Sequence, residues 1–257
     1  MQKMTGRGMV AVLALLAGAR LAGAEDLTIV SKVTRDNQPP ETRTSYVSSE
    51  RMRSANASGE FMVDYATGTL TFIDTAKKQY SVVTPEELEA IAAKVQAKQS
   101  EMQEKMKGLP PALRERMGGM MGGGGGSVSV TKGTGGRTVA GYACENWVVS
   151  IGEMVHVDEC VTTQLPYPAP AYNAMERYAK AMAAIAPAMK GMEEAQAKFK
   201  EMKGVPVYYH STTRVMGKTI SETSEVVEVK KGPIPASAWE IPQGFKKTEW
   251  AGAKMAK

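Results

Sequence analysis

The sequence predicts a mainly β domain that also carries two long amphipathic helices. Three observations carry this. Short runs alternating apolar and polar residues recur at intervals of roughly eight to twelve residues between Asp26 and Thr84. The apolar spacing changes to a helical period after Thr84, and again after Pro170. The only two cysteines lie in Gly141–Thr163, a segment that reads as a β-hairpin in an oxidising compartment.

Ahead of these elements, Met1–Ala24 has the layout of a secretory signal peptide. Lys3 and Arg7 form its basic start, Gly8–Ala19 its apolar middle, and Ala22-Gly23-Ala24 a small-residue cleavage site before Glu25. The apolar run is far short of the roughly 20 residues that span a bilayer, so export to the periplasm is expected, without a transmembrane anchor. Cleavage would remove Lys3, Arg7 and Arg20 but no acid, lowering the formal charge of +5 by three. So small a charge, with no clustered basic face, argues against a nucleic-acid partner. Residues 25–250 are long enough to bury one sizeable core and are expected to form a single domain, with 251–257 a disordered tail.

Leu27–Val33 opens the strand pattern. Asp36–Pro40 is a loop, Thr42–Ala55 resumes extended structure, and Asn56–Gly59 turns into Glu60–Tyr65. Ala66–Gly68 leads into Thr69–Asp74, and Thr75–Lys78 turns again into Gln79–Val83. Strands this short and this close mean an antiparallel meander, a sandwich or an open barrel.

At Thr84 the period changes. Thr84-Pro85-Glu86-Glu87 is a capping box with proline at the first helical position. Leu88, Ile91, Val95, Met102, Met106 and Leu109 follow at helical spacing, and the helix should end near Lys107, before Gly108, Pro110 and Pro111. Gly118–Gly126 belongs to a low-complexity run that predicts a mobile surface loop, and it lacks the Gly-Lys-Ser/Thr of a phosphate-binding loop. Val128–Lys132 and Arg137–Ala140 return to strand. After the hairpin, a second helix from about Ala171 to Lys203 carries the stripe Met175, Tyr178, Met182, Ile185, Met189, Met192, Phe199 and Met202. Pro187 should kink or split it. Val205–Val215 and Thr219–Lys230 form a last hairpin, and Trp239–Phe245 is the final ordered piece.

In Gly141–Thr163 the odd positions are mostly apolar (Trp147, Val149, Ile151, Val155, Val157, Val161) and the even ones mostly polar. A two-residue turn at Gly152-Glu153 would set Val149 opposite His156 and mix the faces. Pairing Ser150 with Met154 keeps the faces apart and sets Cys144 directly opposite Cys160, close to disulfide range. A Cys144–Cys160 disulfide is therefore expected. A zinc site is not, because the pair lacks the close spacing of zinc ligands.

Ser150, His156 and Asp158 share a strand face, but neighbours two apart on a strand lie ~6.5–7 Å apart, poor spacing for a catalytic triad. No catalytic residue and no cofactor is assigned. Methionine is the unusual residue, 18 in all. Met117, Met120 and Met121, or Met189 and Met192, have spacing that would suit Cu(I). The stripe methionines instead suit an adaptable apolar lining, which is the preferred reading, so no metal site is assigned.

Three segments together resemble a known family: Phe72-Ile73-Asp74 with Lys77-Lys78-Gln79-Tyr80 just before the Thr84 cap, Val139–Cys144, and Trp239–Phe245. They are similar to the bacterial exported domain family of unknown function DUF 4412, which looks like a relative of the LolA/LolB lipoprotein carriers. The resemblance implies a strongly curved antiparallel sheet, an unclosed β-barrel, covered by the two Met-rich helices. It also implies a non-enzymatic binding protein for a hydrophobic small molecule or lipidated protein. Met102, Met106, Met182, Ile185 and Met189 would then face the ligand from the helices, against Trp147, Val149 and Val157 of the sheet. The rival expectation is a ligand-free module of the cell envelope, in which the helices plug the core.

Overall fold

The computed structural model describes residues 25–36, 38–56, 59–108, 128–185, 191–215 and 217–256. The signal-peptide segment, the Gly118–Gly126 run, Pro187 and the methionines at 117, 120, 121 and 189 lie outside the described residues, as do the side chains of Met106 and Met192.

The chain first forms β1 (Leu27–Arg35), β2 (Glu41–Val47), β3 (Arg51–Asn56), β4 (Gly59–Asp64), β5 (Leu70–Asp74) and β6 (Gln79–Val83). Helix α1 (Pro85–Lys107) follows, then β7 (Val128–Val139), β8 (Tyr142–Ile151) and β9 (Val155–Thr162). Helices α2 (Ala169–Ile185) and α3 (Gly191–Met202) lead to β10 (Val205–Val215), β11 (Lys218–Lys231) and the short β12 (Lys246–Lys247). Among the described residues, twelve strands form one sheet, in the order β12-β6-β5-β4-β3-β2-β1-β11-β10-β9-β8-β7. β12 and β7 are its ends and do not pair, so the sheet is unclosed. Two meanders meet where β1 pairs antiparallel with β11, Leu27 opposite Lys231.

The alternation that predicts the strands also buries them. β1 puts Leu27, Ile29 and Val33 inside, at 7% exposure or less. Register shifts fall at Val30/Ser31 on β1 and at Pro206/Tyr208 on β10. Such bulges bend a strand and strengthen its twist, and Pro206 has no N–H to give to a regular ladder. β7 is one strand interrupted by a shift between Lys132 and Gly136, where two strands were expected.

The capping box forms as its residues imply: the Thr84 N–H donates to Glu87 Oε2 at 2.9 Å and the Glu87 N–H to Thr84 Oγ1 at 3.3 Å. α1 buries Leu88, Ala92 and Val95, and it packs on α2. α2 touches β4, while α3 touches β7 and β8, so the pair bridges the two halves of the sheet. The second Met-rich helix is thus described as two helices. At the C-terminus, Trp250 stacks on Phe72 with ring centroids 6.1 Å apart, and Ala251–Ala256 forms a 3-10 turn against α1, where a disordered tail was expected.

The β8–β9 register corrects the expected one. Ser150 pairs with His156, Val149 with Val157 and Ile151 with Val155, around the turn Gly152-Glu153-Met154. The expected register would have placed Glu145 directly opposite Glu159, and like charges across a strand pair repel. The observed one sets Glu145 opposite Val161 and Glu159 opposite Trp147, and it pairs valine with valine. The third strand also supports the wider turn, since the Arg214 N–H donates to the Met154 carbonyl at 2.7 Å. Both registers keep the two faces apart, so the predicted faces persist while the partners move.

Candidate functional site

The inner face of the sheet is built by alternation. Ile29, Ser31 and Val33 of β1 lie beside Arg43, Ser45 and Val47 of β2, with Met52 and Ser54 of β3 next to them. From the other half come Ser224 and Val226 of β11, Tyr209 and Ser211 of β10, Val157 and Glu159 of β9, and Val149 of β8. These residues line one cavity of about 400 Å³. Seven neighbouring strands laid flat would span about 29 Å. For all of them to line one such cavity, the sheet must curl around it.

Tyr167, from the loop before α2, and Phe199 of α3 close the cavity from the helix side. A second lobe of about 290 Å³ continues beneath the helices, lined by Phe61, Val161, Tyr172, Met175, Met202 and neighbours. The two lobes share Met52, Glu159, Tyr167, Phe199 and Pro206. Tyr167 and Tyr172 pack with ring centroids 4.6 Å apart, and the Tyr167 hydroxyl points at Met52 Sδ, 3.9 Å away. Burial, and then the neighbouring Tyr172, push the Tyr167 hydroxyl up to about 12.

The first lobe meets an ion-pair network at the Arg43 end. The Arg43 guanidinium donates to Glu41 and lies 3.3 Å from Glu222 Oε1, while Arg35 donates to Glu222 Oε2 at 2.7 Å. The Tyr209 hydroxyl also donates to Glu222. Burial pushes the Glu222 carboxyl up, but the Tyr209 hydrogen bond and the two arginines outweigh it and leave the group below its ordinary value. Glu159 differs. No hydrogen bond or ion pair reaches it among the described residues, and burial pushes its carboxyl up to about 7. The Tyr172 hydroxyl is buried, with the Gly204 backbone N–H approaching its oxygen and no acceptor for its O–H among the described residues.

Of the residues expected to face a ligand, Val149 and Val157 line the first lobe. Trp147 packs beside it, in a cluster with Val130, Val157, Phe199 and Met202. Met182 and Ile185 line neither lobe. They are buried, 8% and 3% exposed, in the main core with Leu88, Ala92 and Val95 of α1. Met102 is 45% exposed. The methionines that do line the cavity are Met52, Met175 and Met202. Glu159 was missed, although an acid among the apolar odd positions Val155, Val157 and Val161 was a visible signal.

Cys144 and Cys160 form a disulfide, with Cα atoms 5.3 Å apart. Ser150, His156 and Asp158 come closer than strand spacing suggested: Ser150 Oγ is 3.1 Å from His156 Nδ1, and His156 Nε2 is 3.3 Å from Asp158 Oδ2. The His156 and Asp158 side chains are 52% and 53% exposed, and none of the three residues lines either lobe. Among the described residues no helix is long and apolar enough to cross a membrane.

The model of a family described as domain of unknown function (DUF4412) matches residues 127–245, a span from the start of β7 to just before β12. No curated protein matches the chain. Over 91% of its length the chain is similar to a solved structure of PNGF-II, at 9% identity and a TM-score of 0.41, covering 33% of that chain. Over 86% it is similar to a chain of the Pseudomonas aeruginosa MucA/MucB complex, at 11% identity and a TM-score of 0.37, covering 56% of that chain. A structure of MucB with MucA(peri) is similar over 86%, at 10% identity and a TM-score of 0.31, covering 54% of that chain. The chain thus spans between a third and just over half of the length of these structures.

Proposed function

We propose that this protein is a non-enzymatic, exported binding protein of the cell envelope that holds a hydrophobic ligand between its curved sheet and α2–α3. The ligand is an acyl chain, a lipid or a lipidated protein. One observation carries the reading: the two-lobed cavity, whose lobes of about 400 and 290 Å³ share an apolar and aromatic neck at Met52, Tyr167 and Phe199. Sites for small molecules are typically concave, mostly apolar and of ~300–1,000 Å³, with a few placed polar groups. Flexible thioethers at Met52, Met175 and Met202 suit a wall that repacks around chains of differing shape. The disulfide supports a periplasmic location, and an unclosed sheet bridged by helices supports kinship with the LolA/LolB carriers.

A second reading, a ligand-free interaction module, draws on the close burial of Met182 and Ile185, which makes part of the α1–α2 layer plain core. Titration with the neutral dye Nile red separates the two. Saturable fluorescence enhancement by the wild type, weakened by Val157→Trp, supports the binding protein. No enhancement, together with a clean apo mass for protein purified from a membrane-containing lysate, leaves the module.

A further inference from the structure

Among the described residues, the only charged ones lining the two lobes are Arg43 and Glu159. Arg43 is spoken for: Glu41 and Glu222 both take its guanidinium. Glu159 stands where the lobes join and has no partner among the described residues. The cavity therefore carries one uncompensated acidic group in an otherwise apolar and aromatic neck. The helix-side lobe adds the buried Tyr172 hydroxyl, which the Gly204 backbone N–H approaches but whose own O–H meets no acceptor among the described residues. A buried polar group without a partner is costly, and a carboxylate needs a donor.

We propose that the cavity selects an amphipathic primary amine, its alkyl chain in the apolar lobes and its ammonium group held by Glu159 with Tyr172. This rests on the hydrophobic-ligand reading and narrows it. A primary ammonium offers three donors and no acceptor, so it satisfies the carboxylate and also donates to the tyrosine oxygen. A fatty carboxylate would instead set a second anion beside Glu159, while the one cation in the wall is already paired. A neutral alcohol would bring a single, uncharged donor. Burial without a nearby cation holds Glu159 back from ionising, and an ammonium partner beside it would favour the carboxylate form.

The test is displacement of Nile red from the full mature chain by dodecylamine, dodecanol and dodecanoate, at about pH 8 where Glu159 is mostly ionised. Lysophosphatidylethanolamine and lysophosphatidylcholine serve as lipid arms, the choline head having no N–H to donate. The expected result is that dodecylamine displaces the dye at a concentration about tenfold below dodecanol, with dodecanoate weakest. Glu159→Gln, which keeps the shape, should reduce the preference for dodecylamine over dodecanol to about threefold or less. If lysophosphatidylethanolamine also outcompetes its choline counterpart, the amine belongs to a lipid headgroup; if not, to a free amine. Equal displacement by amine and alcohol, or a preference that survives Glu159→Gln, overturns the inference and leaves the hydrophobic-ligand reading intact. Failure of every competitor, with no dye uptake by the wild type, overturns both.

Discussion

Cys144 and Cys160 are joined diagonally across β8 and β9. The residue opposite Cys160 is Asn146, yet the cysteine Cα atoms stand 5.3 Å apart. Thr162 reinforces the same corner, its hydroxyl donating to the Ala143 carbonyl at 2.7 Å, while the Ala143 N–H donates to the Gln164 side chain at 2.9 Å. Side chains and a covalent bond thus hold the end of the β8–β9 ladder.

The first prediction concerns this bond. Alkylation of the non-reduced, denatured protein should find no free thiol. Closing a loop of this length contributes about 3 kcal/mol in the chain-entropy model, so Cys144→Ser with Cys160→Ser should lower stability by roughly that amount. Two alkylated cysteines without reductant would count against the pairing.

Met182 and Ile185 are packed core. Met182→Ala or Ile185→Ala should cost about 2–5 kcal/mol in denaturant melts, because a void is left against α1. Dye uptake by the folded variants should be unchanged. A loss well under 1 kcal/mol with altered uptake would instead place these side chains on a cavity wall.

Val157 lines the first lobe while remaining only partly buried. Val157→Trp should fill the trough and weaken Nile red binding about tenfold or more, at an overpacking cost of about 1–3 kcal/mol. Unaltered binding in a folded variant would put the dye elsewhere.

Glu159 makes stability depend on pH. Its folded-state value lies near 7 against an ordinary 4.5, raised by burial, so the folded chain holds the proton more tightly than the unfolded one. Stability should therefore fall as pH rises from about 4.5 to about 7, then level off for this group. Glu159→Gln removes the penalty. The variant should be more stable than wild type by about 1–3 kcal/mol above pH 7, with the gap closing below about pH 4.5. A gap that is constant with pH would show that Glu159 is not desolvated.

What the sequence determined by itself is what neighbours along the chain decide. Thr84 and Glu87 are close enough to satisfy each other's N–H groups whatever surrounds them, so the start of α1 was legible. Alternation likewise set which residues of β8 and β9 share a face. The register was not legible, because it turns on pairs across the strands, such as keeping Glu145 away from Glu159, and on β10 bonding to Met154 from a distant part of the chain. The helix stripe showed that α2 has an apolar side, but not which neighbour covers each part of it. Met182 and Ile185 went to the core with α1, and Met175 to the cavity. Glu159 left a trace as an acid among valines. Its meaning came only from the curl of the sheet that sets Met52, Tyr167 and Phe199 around it, because desolvation depends on what lies near in space rather than in sequence.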